Sequence, residues 1–155
     1  MRKKILILIV MMSVVAMPVW AMGQVSSLNL LVAKSPGGTV DAIVDFSNSG
    51  EAVVATFDIL YDADALELAG GARAGEALSG TDFAMTSKSL SPGRLRIILM
   101  PPMKDPLPLI PSGPIVRLSL NPKDGITGDW DLGNITLGDR RAKEVSYQKQ
   151  ILVGK

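Results

Sequence analysis

The sequence contains no cysteine and no histidine. Without cysteine there is no disulfide, no thiolate nucleophile and no lipid-modified thiol, so stability must come from packing. Without histidine the usual general base, the commonest transition-metal ligand and every Ser-His or Cys-His pairing are gone. Aromatic residues are scarce, with two Trp, two Tyr and three Phe in 155 residues. No segment sustains the 3.6-residue apolar period of an amphipathic helix, so a parallel sheet with crossover helices is excluded. No basic stripe marks a nucleic-acid partner.

What is present begins with a leader. Arg2, Lys3 and Lys4 precede an apolar run over 5–16, then Pro18 and Val19-Trp20-Ala21. A basic head, a short apolar core and small or apolar residues before the cut describe a signal peptide over 1–21. The core is short of the roughly 20 apolar residues of a membrane span, though a retained anchor is the competing reading. The expectation is a secreted protein, periplasmic or extracellular, with no membrane attachment after cleavage. Without the three leader cations, sixteen basic residues fall to thirteen against fifteen acidic ones.

After a lead-in over 22–26, residues 27–153 form one domain of short strands. Residues 39–46 alternate cleanly, with Val40, Ala42, Val44 and Phe46 on one side. Residues 52–61 place Phe57, Ile59 and Tyr61 on one side, and 94–100 do so with Leu95, Ile97 and Leu99. Residues 115–120 repeat the pattern with Val116, Leu118 and Leu120 opposite Arg117 and Ser119. A period of two is what a strand with one buried face produces. Further strands are expected over 27–33, 65–68, 83–89, 130–137 and 147–153, with 72–82 a loop or an irregular helical turn. Gly, Pro, Asn and Asp clusters punctuate them, as at Ser47-Asn48-Ser49-Gly50, Ser91-Pro92-Gly93 and 121–125. About nine such strands predict an all-β, two-sheet antiparallel sandwich.

Residues 101–114 hold six prolines around Leu107, Leu109 and Ile110. Proline gives no N–H to a sheet ladder, so this run lies outside central strands. It is either a stiff connection covering one end of the core or a preorganised binding loop.

The order of these features resembles that of cohesin domains. The resemblance runs through Pro36-Gly37-Gly38-Thr39-Val40, then Tyr61-Asp62 with Leu66, then Pro92-Gly93-Arg94-Leu95-Arg96-Ile97. It continues through Gly113-Pro114-Ile115-Val116-Arg117-Leu118 and Gly138-Asp139 to Ile151-Leu152-Val153. It implies a nine-stranded jelly roll, related to carbohydrate-binding modules, that binds a dockerin-type protein on one flat sheet face. By strand order that face would use Thr56, Asp58 and Leu60, then Arg94, Arg96 and Ile98, then residues around Asp131 to Thr136, with Asp131 the candidate among them. Alternation puts these opposite the core positions, where a merely solvated face is the plainer alternative.

Other candidates are weaker. Trp130 could meet a sugar ring, making polysaccharide an alternative partner, but packing at the core is the commoner fate of one tryptophan. Asp62, Asp64 and Glu67 could bind calcium, but D-x-D is the ordinary chemistry of a turn. Asp129 and Asp131 are a carboxylate pair of the kind used in glycoside hydrolysis, but the sequence supplies no cleft-forming insertion or aromatic subsite beside them. The pattern points to no cofactor and no enzyme. A third alternative is an assembly subunit that uses a sheet edge or the Pro-rich segment.

Overall fold

The computed structural model describes residues 25–123 and 128–154. The leader, most of the lead-in, and Asp124 and Gly125 of the last predicted turn lie outside the described residues. The strands are β1 (Ser26–Lys34), β2 (Val40–Ser47), β3 (Val54–Tyr61), β4 (Leu66–Leu68) and β5 (Arg73–Ala74). After a 3-10 turn at Glu76–Leu78 come β6 (Ala84–Ser91), β7 (Arg94–Met100), β8 (Gly113–Pro122), β9 (Trp130–Gly138) and β10 (Tyr147–Val153).

They form the expected jelly-roll sandwich of two sheets. One runs β10-β1-β2-β8-β4, with β5 also on β8, and the other runs β6-β7-β3-β9. The chain passes repeatedly from one sheet to the other, so neighbours in a sheet are far apart in sequence. Every pair is antiparallel except β1 with β10, which run parallel. The tenth strand is β5, in the segment expected to be a loop or an irregular turn. It pairs Arg73 with Arg117 and Ala74 with Val116.

The alternating positions fill the space between the sheets. Val40, Ala42, Val44 and Phe46 face Phe57, Ile59, Leu95, Ile97 and Leu99 in one buried cluster with Val116, Leu118 and Leu120. Each large aliphatic or aromatic side chain removed from water contributes about 1.5–3 kcal/mol, which is what replaces the missing disulfides. Ile110 of the Pro-rich segment is also fully buried, so that segment closes an end of the core.

Pro114 departs from the expectation that this run stays outside strands. It sits at the start of β8, opposite Asp45, where the register shifts beside Val44. A bulge next to the strand's first residues is a place that tolerates a missing N–H.

Candidate functional site

The sheet β6-β7-β3-β9 brings all seven predicted contact residues onto one outer face. Cross-strand pairing sets Thr56 against Ile98, Asp58 against Arg96 and Leu60 against Arg94. On the other side of β3, Leu60 lies against Asp131 and Thr56 against Thr136. Between those pairs β9 carries one extra residue, because Thr56 to Asp58 spans two steps while Thr136 to Gly133 spans three. The bulge puts Asn134 in a left-handed conformation (φ 46°) that asparagine tolerates better than most residues.

That bulge aims Asn134 at Asp58. The Asp58 carboxylate is fully buried, with 0% of its surface exposed, although alternation had placed it on the solvent side. The correction is physical: it stays on the outer side of the sheet but lies beneath its neighbours. Arg94 Nε donates to Oδ2 at 2.8 Å, and its Nη2 stands 2.6 Å from the same oxygen as an ion pair. Arg96 Nε donates to Oδ1 at 2.7 Å and its Nη2 to Oδ2 at 3.1 Å. Asn134 Nδ2 donates to Oδ2 at 2.7 Å. Hydrogen bonds from Arg96 outweigh the opposing effect of burial and, with Arg94 and Asn134, hold the Asp58 carboxyl down at about 2. The arginine side chains remain 39% and 34% exposed.

Around this trio the face is apolar and polar by turns. Leu60 and Ile98 are half-buried, and Met100 is 51% exposed. Gly133 makes room for Leu60, since a Cβ there would come within 3.2 Å of Leu60 Cδ1. From β6, Thr86 stands against Ile98 and Lys88 against Arg96. Asp131 is held at the rim by Lys149 of β10, whose Nζ donates to its Oδ1 and to the Leu132 carbonyl, both at 2.7 Å. The ammonium lowers the Asp131 carboxyl below its usual range.

Sequence reasoning placed residues 131–136 on this face without singling out Asn134 as a partner of Asp58, and it missed Lys88. A left-handed asparagine leaves no periodic trace, and Lys88 lies on a strand with only weak alternation. Trp130 takes the core packing expected as its commoner fate and not the sugar-facing alternative: the residue is 8% exposed, and its ring centroid lies 5.8 Å from that of Tyr61, tilted by 38°. It is part of the core cluster and has no broad free face for a sugar. Asp62 shapes its turn, with Oδ1 accepting the N–H groups of Asp64 and Ala65.

No protein-family model matches the chain, and no curated protein matches it. Solved structures do. The sixth cohesin from scaffoldin B of Acetivibrio cellulolyticus, solved with a dockerin, is 20% identical with a TM-score of 0.63, covering 83% of this chain and 99% of that one. A type I cohesin–dockerin complex from Clostridium thermocellum is 10% identical with a TM-score of 0.68, covering 84% and 99%. A cohesin module from a family 33 glycoside hydrolase of Clostridium perfringens is 18% identical with a TM-score of 0.57, covering 84% and 97%. Over most of its length, this chain has the fold of cohesin modules.

Proposed function

We propose that the protein is an exported, non-catalytic module that binds another protein, of dockerin type, on the outer face of β6-β7-β3-β9. The observation that carries this is the composition of that face. Leu60, Ile98 and Met100 surround two arginines that are tethered to a buried carboxylate. Half-exposed aliphatic groups beside guanidinium are the make-up of an interface centre, whereas a solvated sheet face has no need of them. The structural neighbours solved with dockerins support the choice of partner, and the leader over 1–21 supports export. The buried Trp130 leaves glycan binding without a platform.

The test uses residues 22–155, immobilised and exposed to the exported protein fraction of the source cells. Leu60→Lys and Ile98→Lys are the informative variants, because neither disturbs the Asp58 cluster. Reversing the arginines instead would strand a buried carboxylate. Each lysine variant is expected to reduce recovery of the partner about tenfold with an unchanged melting temperature. Gln150→Lys, on the other sheet, should recover it fully. Equal recovery by all three would overturn the assignment of this face. N-terminal sequencing of the exported protein checks the leader, with Met22 expected as the first residue.

A further inference from the structure

The docking face holds more positive charge than its own structure consumes. Its outer surface presents Lys88, Arg94 and Arg96; the carboxylates nearby are Asp58 and Asp131, with Asp62 and Asp129 at the end of the face beyond Leu60. Asp131 is taken by Lys149. Asp58 is fully buried beneath the arginines, where no cation from a partner can reach it. Three cations therefore stand over one sunken anion.

The hydrogen bonds show what is left over. Arg94 uses Nε and Nη2 on Asp58, and so does Arg96. Each keeps its Nη1 amino group, with two N–H donors, without a partner among the described residues. Lys88 likewise has no ion-pair partner among them. The neutral groups alongside are Thr56, Thr86 and Thr136. Around Arg94, Arg96 and Lys88 the surface thus offers directed donors and positive charge, while the exposed carboxylate of Asp129 stands at the far end of the face, beyond Leu60 and Asp131.

We propose that the partner's docking segment presents an aspartate or glutamate to Arg94 and Arg96, with apolar side chains beside it that cover Leu60, Ile98 and Met100. The occupant is an acidic, amphipathic protein segment. This rests on the docking-face reading above and adds the chemistry of what docks. Guanidinium matches a carboxylate in shape as well as charge. Because Asp58 already fixes both arginines, little further side-chain freedom is lost when the partner's carboxylate arrives. The apolar neighbours favour a peptide over a bare polyanion, which would leave Leu60, Ile98 and Met100 in water. Beyond the leader the chain carries fewer basic than acidic residues, so the cationic patch is a local feature against an overall negative body.

The experiment titrates isotopically labelled protein, residues 22–155, with three synthetic amphipathic helical peptides. They share a leucine face and differ only in carrying glutamate, glutamine or lysine beside it. The Nε–Hε signals of Arg94 and Arg96 report contact directly. The glutamate peptide is expected to shift both signals saturably, and the lysine peptide to leave them unmoved. Raising salt from about 0.05 M to about 0.5 M should weaken the glutamate peptide about tenfold. Lys88→Glu, which makes no contact with Asp58, should weaken it several-fold at low salt only. Equal shifts from all three peptides would overturn the acidic partner and leave the docking face standing. No shift from any peptide, with Leu60→Lys still abolishing partner recovery, would do the same. If that recovery is also unaffected, the docking face itself falls.

Discussion

Asp58 is worth most attention among single residues, because it has no route back to water once β7 and β9 have closed over it. Its carboxyl sits at about 2 in the folded protein, below the ordinary aspartate value near 3.9 in an unfolded chain. A lowered value means the ionised form favours folding. The contribution is complete above about pH 4 and is lost as pH falls towards about 2. Asp41, Asp131 and Asp139 are lowered too, so acid destabilisation of the wild type is shared. Comparison with Asp58→Asn isolates one group. We expect the variant to be less stable at pH 7 by roughly 2–3 kcal/mol, because charge-assisted hydrogen bonds are replaced by weaker ones and two arginines lose their counter-ion. The gap should narrow between about pH 4 and about pH 2 in urea titrations. Parallel curves for the two proteins across that range would rule out this role. Alternation alone told which side of β3 this aspartate occupies. It could not tell that two long side chains from β7 and an amide from a bulge in β9 would cover it, because cover depends on neighbours distant in sequence.

At the level of elements, the strands with one buried face were legible and the segments that fasten them were not. Val40 to Phe46 and Leu95 to Leu99 announce themselves through burial on every second residue. The Pro-rich segment has no period, and its place is set by side chains elsewhere. Asn48, visible in the sequence only as part of a turn, is its main anchor. Asn48 Oδ1 accepts the N–H groups of Gly50, Glu51 and Ala52, while Nδ2 donates to the carbonyls of Ala52 and Ile110. Ile110 N–H donates to Ala52 O at 2.9 Å, and Arg140 Nε donates to Leu107 O at 2.7 Å. Asn48→Ala should therefore cost roughly 2–3 kcal/mol and speed amide hydrogen exchange at Ile110. Because the proposed docking face lies on other strands, partner recovery should be unchanged. Protection at Ile110 equal to the wild type would show that Ile110 burial alone holds the segment. The hairpin between β6 and β7 is a second fastening, and here the sequence was explicit. Gly93 has φ +74°, and a Cβ there would stand 2.3 Å from the Tyr61 carbonyl oxygen. That crowding, together with the conformation, explains why Pro92 is followed by glycine.

For the whole molecule, the open question is how one sandwich sheet is finished at its β1 side. β1 pairs with β2 along one edge and with β10 along the other, in register from Ser26 with Tyr147 to Val32 with Val153. Gly154 N–H extends the seam to Val32 O at 2.7 Å. β10 is mostly exposed, with Tyr147 and Ile151 packed against the core, so its sequence gave a strand but neither its partner nor its parallel direction. The direction follows from connectivity. β9 lies in the opposite sheet, and the chain must cross over before it can run alongside β1. Lys149 marks that crossing by bridging back to Asp131 and the Leu132 carbonyl, joining the two sheets at their common edge. If β10 is what protects β1, ending the chain at Ser146 should do more than remove the packing of two side chains. It would leave the N–H and C=O groups of β1 unpaired along a strand whose outward residues include Leu31, an invitation to pair with another chain. The truncated protein is expected to self-associate with rising concentration in sedimentation velocity runs, while the full domain does not change its sedimentation coefficient. A truncated protein that stays monomeric and melts at the same temperature would show that β1 needs no cover, and that β10 is an appendage to a sandwich already complete.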